Sequence, residues 1–170
     1  MRMAIISNPV EAVLEEAGKY LGVVEVPKLS NRGLNIDYWL NECKVPLGLP
    51  WCAAFVTNII KQALGRGSPV YLTASVQTTV DWAKTLGAIG VWQDKPEVGD
   101  LFVIYFKSLS RFGHVGFVSK VLDEHTFETI EGNTGPDGGR EGYGVFARKR
   151  HITTDIKFIR WINALPSKGN

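Results

Sequence analysis

Cysteine and histidine are scarce in this chain, with two and three among 170 residues, and the scarcity excludes several readings. Two cysteines cannot build the disulfide framework of a small secreted scaffold. Cysteines and histidines so few and scattered offer no metal-ligand spacing, and no cofactor motif is present, so neither metal nor cofactor is expected. No apolar run reaches the roughly eighteen residues that a bilayer span needs, and the N-terminus lacks a basic-led apolar stretch with a small-residue cleavage site. The expectation is a protein made in the cytoplasm without a signal peptide and with no membrane contact. Charge of one sign is also lacking: 19 Lys and Arg against 17 Asp and Glu leave +2, too little to argue for nucleic acid. The one dense basic run, Arg148-Lys149-Arg150-His151, reads as a solvated strand end. Repeats, low-complexity tracts and linkers are missing too. That leaves one domain over 1–165, expected to be a monomer, and a polar tail over 166–170 that frays.

What is present is enough apolar material, 45% of the residues, to close an ordinary core. Val10, Val13, Leu14, Ala17 and Leu21 have the spacing of one helix face, with Asn8 as cap and Pro9 at the first position. Leu34, Ile36, Trp39 and Leu40 predict a second helix, running to about Cys43. From Ala53 to about Leu64 the apolar residues lie nearly all round the helix, which makes it central. Ser75 to Leu86, capped by Ser75 and ended by Gly87, predicts a fourth. After Pro96 the texture changes to short β-type runs over Leu101–Phe106, His114–Val121, Thr126–Glu131, Gly144–Arg148 and Ile156–Trp161. Helices first and strands after predict an α+β fold, N-terminal helices packed on a C-terminal antiparallel sheet.

Cys52 stands where the loop broken by Pro46, Gly48 and Pro50 turns into the central helix. Unpaired N–H groups and the positive end of the helix dipole there favour thiolate over thiol. Cys43 lies near a helix end, where the dipole disfavours thiolate, and is the weaker nucleophile. Both cysteines are expected reduced. His114 heads a predicted strand, whereas His125 in an acidic turn and His151 in the basic run read as solvated. If Asp123 and Glu124 make the hairpin turn, Val121 faces Thr126, Gly116 faces Glu131, and His114 faces Asn133. His114, Glu131 and Asn133 then share a sheet face, with opposed Cβ atoms about 5 Å apart and diagonal ones about 7 Å. Gly116 on that face leaves room for the Cys52 helix to approach. A thiol beside an imidazole can exist as thiolate and imidazolium, the pair a cysteine hydrolase needs. The group orienting the imidazole is assigned to Glu131, with Asn133 as second candidate, and the Cys52 N–H is placed as oxyanion donor. Asp137-Gly138-Gly139 reads as a turn rather than a calcium loop.

Asn31-Arg32-Gly33, Ile36-Asp37-Tyr38-Trp39-Leu40, Pro50-Trp51-Cys52-Ala53-Ala54-Phe55-Val56, Pro96-Glu97-Val98-Gly99-Asp100-Leu101, Gly113-His114-Val115-Gly116-Phe117-Val118 and Glu131-Gly132-Asn133-Thr134 occur in that order. The set resembles the CHAP family of cysteine- and histidine-dependent amidohydrolases and peptidases, from about Gly22 to Trp161. Arg140-Glu141-Gly142, Val145 and Arg148-Lys149-Arg150 resemble its phage and prophage subgroup. The resemblance implies a papain-like fold and cleavage of an amide bond in peptidoglycan, either between sugar and stem peptide or within the peptide. By the same resemblance Cys52 is the nucleophile, His114 the base and acid, Glu131 the orienting residue and Asn133 its support. The enzyme would then reach the cell wall after release or delivery by another system. Two other readings use the same sequence: a thiol acyltransferase or intracellular peptidase on the same residues, and a non-enzymatic wall-binding phage structural protein.

Overall fold

Residues 8–136 and 142–166 are described by a computed structural model. The Asp137-Gly138-Gly139 turn, Arg140 and Glu141 lie outside the described residues, as do 1–7 and the end of the tail, 167–170. Local chemistry sets the helix starts. Asn8 accepts the Glu11 N–H at 3.2 Å with Pro9 next, and α1 runs Pro9–Gly18; Ser75 accepts the Thr78 N–H at 3.2 Å and opens α4, Val76–Thr85. Between them lie α2, Leu34–Glu42, and α3, Cys52–Leu64. In α3 every residue from Cys52 to Ile60 is buried, so it is the central helix its composition requires. No helix among the described residues is long and apolar enough to cross a membrane.

Six antiparallel strands follow: β1 Trp92–Gln93, β2 Leu101–Phe106, β3 Arg111–Val121, β4 Thr126–Thr134, β5 Gly144–His151 and β6 Ile156–Ile159. They lie in the order β1-β6-β2-β3-β4-β5. Helices on one side of a meander-like antiparallel sheet make this the expected α+β, papain-like arrangement. The main core packs the helices on the sheet face carrying Leu101, Val103, Val115, Phe117, Ile130 and Val145. Phe102, Val118, Phe127, Ile156 and Phe158 form a smaller cluster of their own.

The hairpin register differs from the expected one at the turn. Val121 pairs with Phe127 instead of Thr126, because the Leu122 and Asp123 N–H groups both donate to the Thr126 carbonyl and lengthen the connection. A bulge between Val118 and Lys120 takes up the extra residue, so Phe117 pairs with Ile130. The two pairs past the bulge, Val118 with Thr129 and Phe117 with Ile130, keep the expected register, and Gly116 lies against the Glu131 side chain.

Gly116 has a different use from the one expected. A Cβ there would meet Phe102 at 2.7 Å and Glu131 Cγ at 2.8 Å, so the bare position accommodates those two side chains and not α3. The helix approaches at Gly132, where a Cβ would lie 2.8 Å from Phe55 Cβ and from Trp51 Cζ3. Both contacts belong to buried groups at the start of α3. Gly132→Ala is therefore expected to cost about 1–3 kcal/mol through overpacking, read as a lower denaturant midpoint with unchanged m-value. A midpoint within error of wild type would show that the start of α3 is free to shift.

Candidate active site

The first intrahelical bond of α3 runs from the Phe55 N–H to the Trp51 carbonyl at 2.9 Å, and Trp51 offers no side-chain cap. The N–H groups of Cys52, Ala53 and Ala54 therefore precede the helical ladder. Trp51 is anchored instead through its indole, which donates to the buried Glu25 carboxylate at 2.9 Å; the other oxygen of Glu25 accepts the Asn31 N–H at 3.0 Å. This fixes the turn from loop to helix and sets the Cys52 thiol at the floor of a cleft of about 690 Å³. His114 and Asn133 line the same cleft, with Leu29, Leu49, Ile104 and Phe106 among its apolar walls.

His114 Nε2 lies 2.7 Å from Glu131 Oε2. That leaves the other ring nitrogen, Nδ1, free of Glu131, and Cys52, which lines the same cleft, is near enough to the imidazole to favour its protonated form. Glu131 is fully buried and holds four donors: His114 Nε2, the Thr129 hydroxyl at 2.6 Å, and Arg150 through Nε and Nη2, each at 2.6 Å. Burial alone would raise the carboxyl pKa, but the hydrogen bonds from Arg150 and His114 outweigh it and hold the group well below the usual carboxylate range. Burial alone would likewise lower the His114 pKa. The nearby Cys52 and the hydrogen bond with Glu131 reverse that and push it up to about 9. Phe102 underlies the set, its ring centroid 5.9 Å from that of His114 and 5.1 Å from the Arg150 guanidinium carbon.

Three of the four expected site residues, Cys52, His114 and Glu131, are thus brought together, His114 and Glu131 by a hydrogen bond and Cys52 beside the imidazole in the same cleft. Asn133 does not join them, and the expected opposition of His114 and Asn133 is absent. A bulge in the β4–β5 pairing between Glu131 and Thr134 puts Asn133 in the left-handed region, φ 54°. With its amide turned so that both ends are satisfied, the carboxamide instead accepts the Trp51 N–H at 3.2 Å and donates to the Gly142 carbonyl at 3.1 Å. Asn133 braces the residue ahead of the thiol rather than the imidazole.

The reading of Arg148–His151 as a solvated strand end is corrected at Arg150. β5 continues to His151, and its alternation exposes Lys149 while turning Arg148 and Arg150 inward. The clue available in the sequence was period 2: extending the Gly144–Arg148 strand by two residues puts Arg150 on the face of Phe146 and Arg148. Cys43, His125 and His151 stand apart from the site. Cys43 caps the end of α2, half-buried among Asn58 and Thr57, and burial raises its pKa; both histidines are exposed. Both cysteines are free thiols. Among the described residues no group of three or more His, Cys, Asp or Glu side chains converges on a metal position.

Against this geometry, the family model described as "CHAP domain" matches residues 44–133, from the loop before the thiol to the bulge after the buried carboxylate. The chain belongs to the CHAP family. CHAP domains are hydrolases of the amidase and peptidase type with peptidoglycan-related substrates. The CHAP match stops short of β5, so Arg150 lies beyond it. Among solved structures, this CHAP chain is similar to one titled "The crystal structure of Ly7917", at 15% identity and a TM-score of 0.48 over 88% of its own length. It spans 61% of the length of that structure. No curated protein matches it.

Proposed function

We propose that this CHAP domain hydrolyses an amide bond of peptidoglycan, either the link between sugar and stem peptide or a bond within the peptide, through a thioester on Cys52. The observation that carries the reading is the Cys52 thiol and the His114 imidazole lining one open cleft, with the imidazole held from behind by the buried Glu131 carboxylate. Cys52 Sγ, as thiolate, attacks the carbonyl carbon, and the Cys52 N–H ahead of the helical ladder faces the developing oxyanion. The imidazolium of His114 gives its Nδ1 proton to the leaving amine as the C–N bond breaks. Neutral His114 then takes a proton from water, which adds to the thioester and releases a carboxylate and the thiol. Glu131 accepts from Nε2 throughout, fixing the tautomer and balancing the imidazolium charge. As a phage- or prophage-type member, the enzyme would meet the wall after release or delivery by another system.

Digestion of purified peptidoglycan, with mass spectrometry of the fragments, tests activity and bond choice together. Fragments gaining one water at an amide bond, with a new amine end, are expected. Intact peptidoglycan in the presence of a titratable Cys52 thiol would overturn the reading.

The alkaline side of the pH profile follows from His114. The imidazolium is present below its pKa of about 9 and lost as pH rises through it, so kcat/KM is expected to fall there and not near the ordinary 6.5. The contribution of the same interactions to stability has the same sign: complete below about 6.5 and lost as pH rises through about 9. An alkaline limb near 6.5 would show that Cys52 and Glu131 do not hold the proton.

A further inference from the structure

We infer that Arg150 is a positioning residue of the thiolate–imidazolium pair, acting through Glu131 to keep that buried carboxylate ionised and aligned on His114; the inference rests on the proposed thioester chemistry. Three observations and one step of the proposed cycle carry it. The Arg150 fork meets both oxygens of Glu131 at 2.6 Å, a bidentate geometry that fixes the carboxylate plane as well as its charge. Glu131 is fully buried, and an uncompensated carboxylate there would take up a proton before it stayed charged. His114 cannot supply the compensation alone, since the proposed cycle leaves it neutral whenever its proton is on the leaving amine. The guanidinium is itself held over the Phe102 ring that also underlies the imidazole.

The charges around Glu131 come from three elements. His114 lies on β3; Arg150 lies on β5, as does Arg148, whose guanidinium donates to the Thr134 hydroxyl at 3.2 Å; Cys52 reaches in from α3. With Arg150 in place, Cys52⁻, His114⁺, Glu131⁻ and Arg150⁺ sum to zero. Without it, Glu131 protonates at a higher pH. The imidazolium then loses its carboxylate, and the pair reverts to thiol and neutral imidazole.

Alkylation of Cys52 by iodoacetamide, followed by peptide mapping across pH, reads this pair without reference to any wall substrate. Failure of the peptidoglycan reading therefore leaves the test intact. In Arg150→Met the acid limb of the alkylation rate is expected to move up by about one pH unit or more, while Arg150→Lys, which keeps the charge but not the fork, moves it by less than half as much. In the Glu131→Gln background, Arg150→Met is expected to shift the limb no further, because the residue through which it acts is gone. A cooperatively melting Arg150→Met whose limb stays in place or moves down would overturn the inference. If Arg150→Met does not fold, Arg150→Lys and the Glu131→Gln/Arg150→Met pair decide: a limb displaced a full unit in the lysine variant, or displaced beyond Glu131→Gln in the pair, would also overturn it. A residue that only gripped substrate, or only stiffened β5, would leave the alkylation profile unmoved.

Discussion

Cys52→Ala and His114→Ala are each expected to lower turnover by about 10⁴-fold or more, and the double variant to be scarcely worse than either single one. Losses of that kind do not add, because the thiolate exists through the imidazolium and the imidazolium has no leaving group to protonate without the thioester step. The fold should survive both changes. Alanine at position 52 keeps the helix start and removes one sulfur from a residue that is 4% exposed. Loss of the imidazole leaves Glu131 with three of its four donors, two of them from the Arg150 cation, so no buried charge is stranded. Activity and thermal melts on the same preparations check both halves of the expectation. Near-wild-type turnover in His114→Ala would make the imidazole structural and require another base.

The elements of this molecule are legible in the sequence because each is set by local chemistry. The Asn8 and Ser75 caps, the Pro9 start and the apolar periodicity of α1 to α4 fix where the helices begin and what they bury. A short apolar run of β-type residues places β2 to its final residues, Leu101–Phe106. Cys52 was legible for the same reason, since a proline-broken loop entering an apolar helix marks its own first turn. What local pattern does not reach is where two segments meet. The bulge between Val118 and Lys120 compensates a longer turn, and nothing within either strand announces it. Gly116 and Gly132 look alike in sequence, yet one makes room for Phe102 and Glu131 and the other for the first turn of α3. Arg150 sits among other basic residues at a strand end, where composition alone points to solvent. Its value comes from a carboxylate on the neighbouring strand, and the β4–β5 register, which sets Arg150 opposite Phe127 and Glu131 opposite Phe146, lets the two meet only because the long arginine side chain runs along the face they share.

That register also orders the two residues between which the sequence left the orienting role open. Glu131→Gln is expected to lower kcat by roughly 10²- to 10³-fold, less than loss of His114 and more than Asn133→Ala. The glutamine oxygen can still accept from Nε2, so the tautomer is partly kept. Of the two groups that hold the His114 proton up to about 9, Cys52 remains and the Glu131 charge is lost, so the alkaline limb should move down part of the way. Replacing one carboxylate oxygen by NH₂ also sets donor against donor at the Arg150 fork and leaves that half-buried cation without its anion. Asn133→Ala removes two hydrogen bonds of about 1 kcal/mol each, to Trp51 and Gly142, neither of which involves the imidazole. It should therefore lower stability by about 2 kcal/mol and leave the alkaline limb in place. Rates and pH profiles of the two single variants on one peptidoglycan preparation separate the roles. A larger kcat loss in Asn133→Ala, together with a displaced alkaline limb, would transfer the orienting role to the asparagine. Unchanged pH dependence in Glu131→Gln would remove the carboxylate from the proton's path.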